Sequence, residues 1–172
     1  MKTKIRPETE EDYEEITRIH DLAFNQINEG TLVERLRKTS CFVPELSLVA
    51  EYENRVVGHI LLYPIKINTG TRKCDQLALA PTAVHPAYQR RGIGSKLIVK
   101  GLTTAKKLGF KSVVVLGHSQ YYPRFGFEAA SKWGIRAPFD VPEDAFLTIE
   151  LTRNGLKNRR GTAEYPKEFD GL

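Results

Sequence analysis

The sequence predicts one mixed α/β domain, and three observations carry that expectation. The chain has 172 residues, 41% of them hydrophobic and 27% charged, a length and balance that suit a single domain with its own core. Strand-like runs alternate with amphipathic helical stretches along the whole chain. Residues 76–116 read as strand, loop, helix and continuous apolar strand, which makes one βαβ unit with a right-handed crossover.

Each element has a local reason. Residues 2–6 read as a short strand that Pro7 stops. Thr9 is a suitable N-cap with Asp12 three residues on, opening a helix with Tyr13, Ile16, Ile19, His20 and Ala23 on one face. Its acids Glu10, Glu11, Asp12, Glu14 and Glu15 crowd the first turns, where the helix dipole favours them. A second helix is expected over 31–38, with Leu32, Val33 and Leu36 facing inward. Residues 46–52 and 55–67 form a hairpin turning at Glu53-Asn54. A loop at 68–72 leads into a strand over 76–84, which His85-Pro86 ends.

From residue 92 to 108 the pattern is helical, with Ile93, Leu97, Ile98, Leu102, Ala105 and Leu108 on one face and Gly109 as the stop. Residues 111–116 contain the run Val113-Val114-Val115-Leu116, as expected of a strand covered on both sides. A short helix is expected at 121–124, with weaker strands at 127–130 and 145–151. The basic stretch 153–160 ends in Gly-Thr-Ala-Glu-Tyr-Pro, a candidate for a last edge segment. The domain is expected to span 1–172, with a core over 1–151 and a basic extension over 152–172.

Composition narrows the function classes. The net charge is +5, yet residues 76–127 hold eight Lys/Arg and no carboxylate, while the flanks 1–75 and 128–172 carry −2 and −1. An acid-free window of this kind attracts anions, either a nucleotide-like cofactor or nucleic acid. No apolar run is long enough to span a bilayer, so no membrane partner is expected. No apolar segment follows the basic N-terminus as in a secretory signal, and a cytoplasmic location is expected. The two cysteines, Cys41 and Cys74, have no CxxC spacing and no neighbouring histidines, so no metal site is expected.

The segment Gln89-Arg90-Arg91-Gly92-Ile93-Gly94-Ser95 carries the most chemistry. Gly92 and Gly94 let the backbone approach a ligand and turn into a helix. The first helical turn presents unpaired N–H groups at the positive end of the dipole, which suits a phosphate or pyrophosphate. A dinucleotide fingerprint needs a third glycine where Leu97 stands, and no Walker A string is present. What remains is the pattern Q/R-x-x-G-x-G/A, met by Gln89, Gly92 and Gly94.

With Val84-His85-Pro86 before it and Tyr122-Pro123-Arg124-Phe125-Gly126-Phe127 after it, this loop resembles the coenzyme A loop of the GCN5-related N-acetyltransferases (GNAT). Residues 117–127 and the Tyr165-Pro166 tail look most like the YhbS-like branch. The resemblance implies a central mixed, mostly antiparallel twisted sheet of about six or seven strands, helices on both faces, and a splayed pair of parallel strands at the cofactor site. It implies acetyl-CoA as cosubstrate and direct transfer of acetyl to a primary amine. Backbone groups of Ala83 and Val84 would pair with the pantetheine arm. The loop Gln89, Arg90, Arg91, Gly92, Ile93, Gly94 and Ser95 would hold the pyrophosphate. Tyr122 matches the family tyrosine that protonates the leaving thiolate. Ser119, or main chain beside it, would serve where many members have an asparagine.

The general base is left open among His85, His118, an ordered water chain and carboxylates reaching in from the substrate side, such as Glu29, Glu34, Glu51 or Asp75. Two other functions compete. One is a catalytically silent acyl-CoA-binding sensor or scaffold. The other is a nucleic-acid-binding module, disfavoured because the aromatics cluster at 121–127 rather than interleaving with the basic stripe. The acceptor is unidentified, and self-association as a homodimer is left open.

Overall fold

The computed structural model describes residues 1–171. Nine strands and three α-helices are joined by short loops and 3-10 turns: β1 (Lys4–Pro7), α1 (Tyr13–Phe24), α2 (Asn28–Arg37), β2 (Ser47–Tyr52), β3 (Arg55–Asn68), β4 (Lys73–Val84), α3 (Ile93–Lys107), β5 (Ser112–Leu116), β6 (Glu128–Ala129), β7 (Ile135–Arg136), β8 (Phe146–Glu150) and β9 (Gly161–Glu164). One sheet runs β1-β2-β3-β4-β5-β8-β6. Every pairing on that path is antiparallel except β4 with β5.

The period-2 alternation of strand side chains sorts the core into two layers. On one face Ile60, Leu62, Leu77 and Leu79 pack with Ile93, Leu97, Ile98 and Leu102 of α3. On the other, Leu61, Tyr63, Ile65 and Val114 pack with Ile16 of α1 and Leu32, Val33 and Leu36 of α2. The hairpin turns at Glu53 and Asn54, both with positive φ (50° and 60°), the conformation that matches strand twist in a two-residue loop.

Several expectations are corrected. The sheet has nine strands where six or seven were expected. The additional ones are β7, which was not anticipated, and β9, the edge segment of the basic extension. β9 pairs with residues 66–68 of β3, beyond the part that β2 covers, and with β7. Gly161 allows this close approach, since a Cβ there would come 2.1 Å from the Asn68 carbonyl oxygen. Thr9 does cap a turn with Asp12, but the turn is 3-10 and α1 starts at Tyr13. Asp12 is not a solvated first-turn acid: it is buried and paired with Arg6 at 2.7 Å. The second helix begins at Asn28, three residues before the expected position 31.

β4 and β5 are paired only at Leu77–Val113 and Ala78–Val114. Directly beyond, β4 takes one more residue than β3, because Ile60 faces Thr82 and Leu62 faces Leu79. This bulge falls at Ala80-Pro81, where proline has no N–H for a ladder. The two parallel strands therefore part, leaving residues 79–84 of β4 with no strand on the β5 side.

Candidate functional site

The open edge of β4 has a defined polarity. His85 N–H donates to the Val57 carbonyl at 2.9 Å, and the register places Val84 opposite Gly58 and Ala83 opposite His59. Antiparallel alternation then turns the backbone groups of Ala83 toward β3 and those of Thr82 and Val84 toward the open edge. Thr82 and Val84, rather than the expected Ala83, present main-chain groups there. Gln89 ties the loop to this edge by donating from Nε2 to the Val84 carbonyl at 3.0 Å.

The loop then enters α3. Arg90 (φ 60°) and Gly92 (φ 78°) are both left-handed, and Gly92 is the N-cap of this 15-residue helix. The side chain of Ile93 is 2% exposed and sits in the core, so it anchors the turn while the first-turn N–H groups stay free at the dipole's positive end. Gly94 faces the groove, with only the Tyr121 hydroxyl within 3.4 Å of where a Cβ would stand.

One cavity of about 2300 Å³ joins these parts. Of the expected residues, Ala83, Val84, Gln89, Arg90, Gly94 and Tyr122 line it. Arg91, Gly92, Ile93, Ser95 and Ser119 are not on its wall. The Arg91 guanidinium instead lies over the Tyr88 ring, 5.6 Å from its centre. The Ser95 hydroxyl is 3.3 Å from the Tyr121 hydroxyl, so it helps pin the 117–127 segment to α3. Lys96 likewise points away, toward Met1 and Thr3.

Tyr122 opens the 3-10 turn Tyr122–Phe125. Its ring packs edge-on against Tyr121 and Phe127, with centroids 5.2 and 5.5 Å away. Burial, with a smaller contribution from Tyr121, pushes its hydroxyl up to about 12. It keeps its proton well beyond the pH at which an ordinary tyrosine ionises. Tyr121 is fixed between Ser95 and the Arg124 guanidinium, which lies 4.6 Å from its ring centre.

The open set of bases also sorts itself by position. His85 accepts from the Ala87 N–H and lies off the cavity wall, whereas His118 is on it. Glu34 accepts from Thr17, Glu51 pairs with Arg6, and Asp75 pairs with Lys66; none of the three lines the cavity. Glu29 does.

A buried polar chain under the sheet was not legible in sequence. Arg37 donates from Nε to Glu8 at 2.8 Å, and Glu8 lies 3.3 Å from His59 Nε2. That nitrogen is also 2.8 Å from Ser47 Oγ. His59 Nδ1 is 2.9 Å from His20 Nε2. His20 then stacks on Phe24, with ring centres 6.0 Å apart, and Phe24 lines the cavity. Burial lowers His20 well below its ordinary value, and His59 next to it adds to the effect. Burial also lowers His59, against the opposing pull of Glu8. Burial works against ionisation of Glu8, but hydrogen bonds with His59 and Arg37 outweigh it and hold the carboxyl at about 2. The only sequence signal was His20 on the apolar face of a helix, which names no partner.

Among the described residues no group of three metal-ligating side chains comes together, and no helix is long and apolar enough to cross a membrane.

The geometry has counterparts in known proteins. Residues 4–130 match the family model of the acetyltransferase (GNAT) domain. The chain is 39% identical over 134 residues to the uncharacterized N-acetyltransferase YjhQ of Escherichia coli K12, covering 77% of this chain and 74% of that one. A crystal structure of the GNAT family N-acetyltransferase YhbS from Escherichia coli in complex with CoA superposes with a TM-score of 0.90 at 29% identity, over 98% of this chain and 92% of that one. A GNAT family acetyltransferase from Brucella melitensis in complex with acetyl-CoA gives a TM-score of 0.80 at 32% identity, over 98% and 99%.

Proposed function

The chain belongs to the acetyltransferase (GNAT) domain family, and from that premise we propose that it transfers an acetyl group from acetyl-CoA directly to a primary amine. The observation that carries this reading is the edge of β4 at Thr82 and Val84 that no strand covers, which runs straight into the free N–H groups at the start of α3. An extended amide-bearing arm followed by a pyrophosphate fits that order of groups. The CoA and acetyl-CoA bound to the two neighbours described above support it.

Acetyl-CoA supplies an activated acetyl thioester. On this reading the edge groups of Thr82 and Val84 hold the pantetheine arm as an added strand, with Ala83 contributing side-chain contact only. The first-turn amides of α3 and the Arg90 guanidinium hold the pyrophosphate. Arg91 and Ser95 act through the shape of the loop, since their side chains are engaged elsewhere. The Tyr122 hydroxyl, on the cavity wall and neutral at pH 7 as a tyrosine ordinarily is, protonates the departing sulfur.

The test is thermal melting with and without millimolar acetyl-CoA, followed by thiol release across primary amines: spermidine, an aminoglycoside and a lysine peptide. Stabilisation with amine-dependent thiol release is expected. Stabilisation without thiol release would make the chain a silent acyl-CoA binder. Absence of stabilisation would remove the cofactor assignment. Salt-sensitive retention on DNA or RNA that CoA fails to compete would favour the nucleic-acid reading.

A further inference from the structure

We propose that Glu29 is the residue that holds the acceptor's ammonium group and takes its proton, an inference that rests on the amine-transfer reading above. The cavity extends well past the cofactor groove. Its far end is walled by Phe24, Glu29 and Leu32 from α1 and α2, and by Arg136, Arg160 and Glu164 from the β7 and β9 side. An amine arriving there is protonated at neutral pH and needs both a counter-charge and a proton acceptor before its lone pair can react.

Glu29 is the carboxylate on this wall that is held in place yet has one oxygen without a partner. Its Oε1 accepts from Gln26 Nε2 at 2.8 Å, while Oε2 is buried without a hydrogen-bond partner. Leaving a carboxylate oxygen buried and unsatisfied is costly unless a cation completes it. The other acids on the wall differ. Glu164 is occupied by Lys73 at 2.8 Å and Asn68 at 2.7 Å, and Asp170 is exposed. A second unpartnered atom, Thr82 Oγ1, is buried on the same wall, on the strand that would carry the thioester. Arg136 and Arg160 can attract an anionic part of an acceptor but cannot accept a proton from it.

The step balances as follows. The Glu29 carboxylate takes one proton from the ammonium and passes it to solvent. The freed nitrogen lone pair forms the C–N bond as the C–S bond breaks, and the thiolate takes the Tyr122 proton. The second proton lost from nitrogen restores Tyr122 through solvent, so one proton is released per turnover.

The experiment uses the full chain and whichever amine in the panel gives the fastest thiol release. For Glu29→Gln, kcat/KM for that amine is expected to fall by about 100-fold or more, while KM for acetyl-CoA and the acetyl-CoA thermal shift stay within about twofold of wild type. For Glu29→Ala, added formate is expected to restore part of the lost rate, a recovery that a merely structural role would not show. Turnover of Glu29→Gln within threefold of wild type would overturn the assignment. So would failure of formate to raise the Glu29→Ala rate. So would a comparable loss confined to His118→Ala. If wild type releases no thiol with any amine, the amine-transfer reading falls and the Glu29 role with it; if wild type turns over and Glu29→Gln does too, the Glu29 role alone falls.

Discussion

The Tyr122 ring lies directly on the backbone of Gly117, so closely that a Cβ at residue 117 would stand 2.3 Å from ring Cε2. The missing side chain at the end of β5 is therefore what lets the phenol reach the cavity wall. Gly117→Ala has no room unless the ring moves, and overpacking of this kind costs about 1–3 kcal/mol. The expected result is a lower midpoint in urea together with slower thiol release. A variant with wild-type stability and wild-type turnover would show that the ring position does not matter.

Tyr122→Phe keeps the edge-on aromatic packing and removes only the hydroxyl. Acetyl-CoA affinity should change little, while turnover at saturating amine falls by about 100-fold, the lower range for loss of a general acid. Because burial pushes this hydroxyl up to about 12, the wild-type rate should not decline through its ionisation near pH 10, where an ordinary tyrosine titrates. Equal rates for wild type and Tyr122→Phe would take the acid role away.

Gly94 separates steric from conformational demands. Its Cβ would have the Tyr121 hydroxyl at 3.4 Å and Val84 at 3.8 Å, ordinary contacts, so Gly94→Ala should retain the acetyl-CoA thermal shift. Gly94→Glu puts a carboxylate at the dipole's positive end, where the pyrophosphate is proposed to sit. It should abolish the shift without lowering the ligand-free melting temperature. A retained shift in the glutamate variant would refute the loop assignment.

The buried chain from Arg37 to His20 predicts the acid limb of stability. Both histidines are held below 6.5 in the fold, so below about pH 6.5 the unfolded chain takes up protons that the folded one refuses, and stability falls. Each such proton is worth up to about 1.4 kcal/mol per pH unit. Glu8, at about 2 against an ordinary 4.5, adds stability that is whole above pH 4.5 and lost as pH drops toward 2. Urea titrations from pH 8 downward should show a continuous decline beginning near pH 6.5. For His20→Phe combined with His59→Leu, the segment between about pH 6.5 and 4.5 should flatten. An unchanged slope there would sink the assignment.

Much of this protein is written locally. Gln89, Gly92 and Gly94 mark the loop because left-handed backbone and free helix N–H groups depend on residues next to one another. The hairpin at Glu53-Asn54, the stop at His85-Pro86 and the α3 stripe from Ile93 to Leu102 were legible for the same reason. The places where sequence reading slipped are those where distant segments decide. Ala83 and Val84 look alike in sequence, and only the register against Gly58 and His59 says which of them turns its backbone outward. β7 holds no periodic signal in two residues, and exists because it finds β9, the edge segment expected at Gly161-Thr162-Ala163-Glu164, whose own partner β3 only the fold supplies.

The αβ framework and the glycine loop that opens α3 follow from short-range backbone rules and are readable in the chain alone, whereas Tyr122 stood out through the family resemblance of the segment around it. Which carboxylate lines the cavity is settled by packing between distant segments. Glu29, Glu34, Glu51 and Asp75 have the same chemistry, and what distinguishes them is burial and partners. Three are spent on Thr17, Arg6 and Lys66. Glu29 alone of the four lines the cavity, with one buried oxygen left without a partner, because which neighbours surround a side chain is set by segments far apart in the chain.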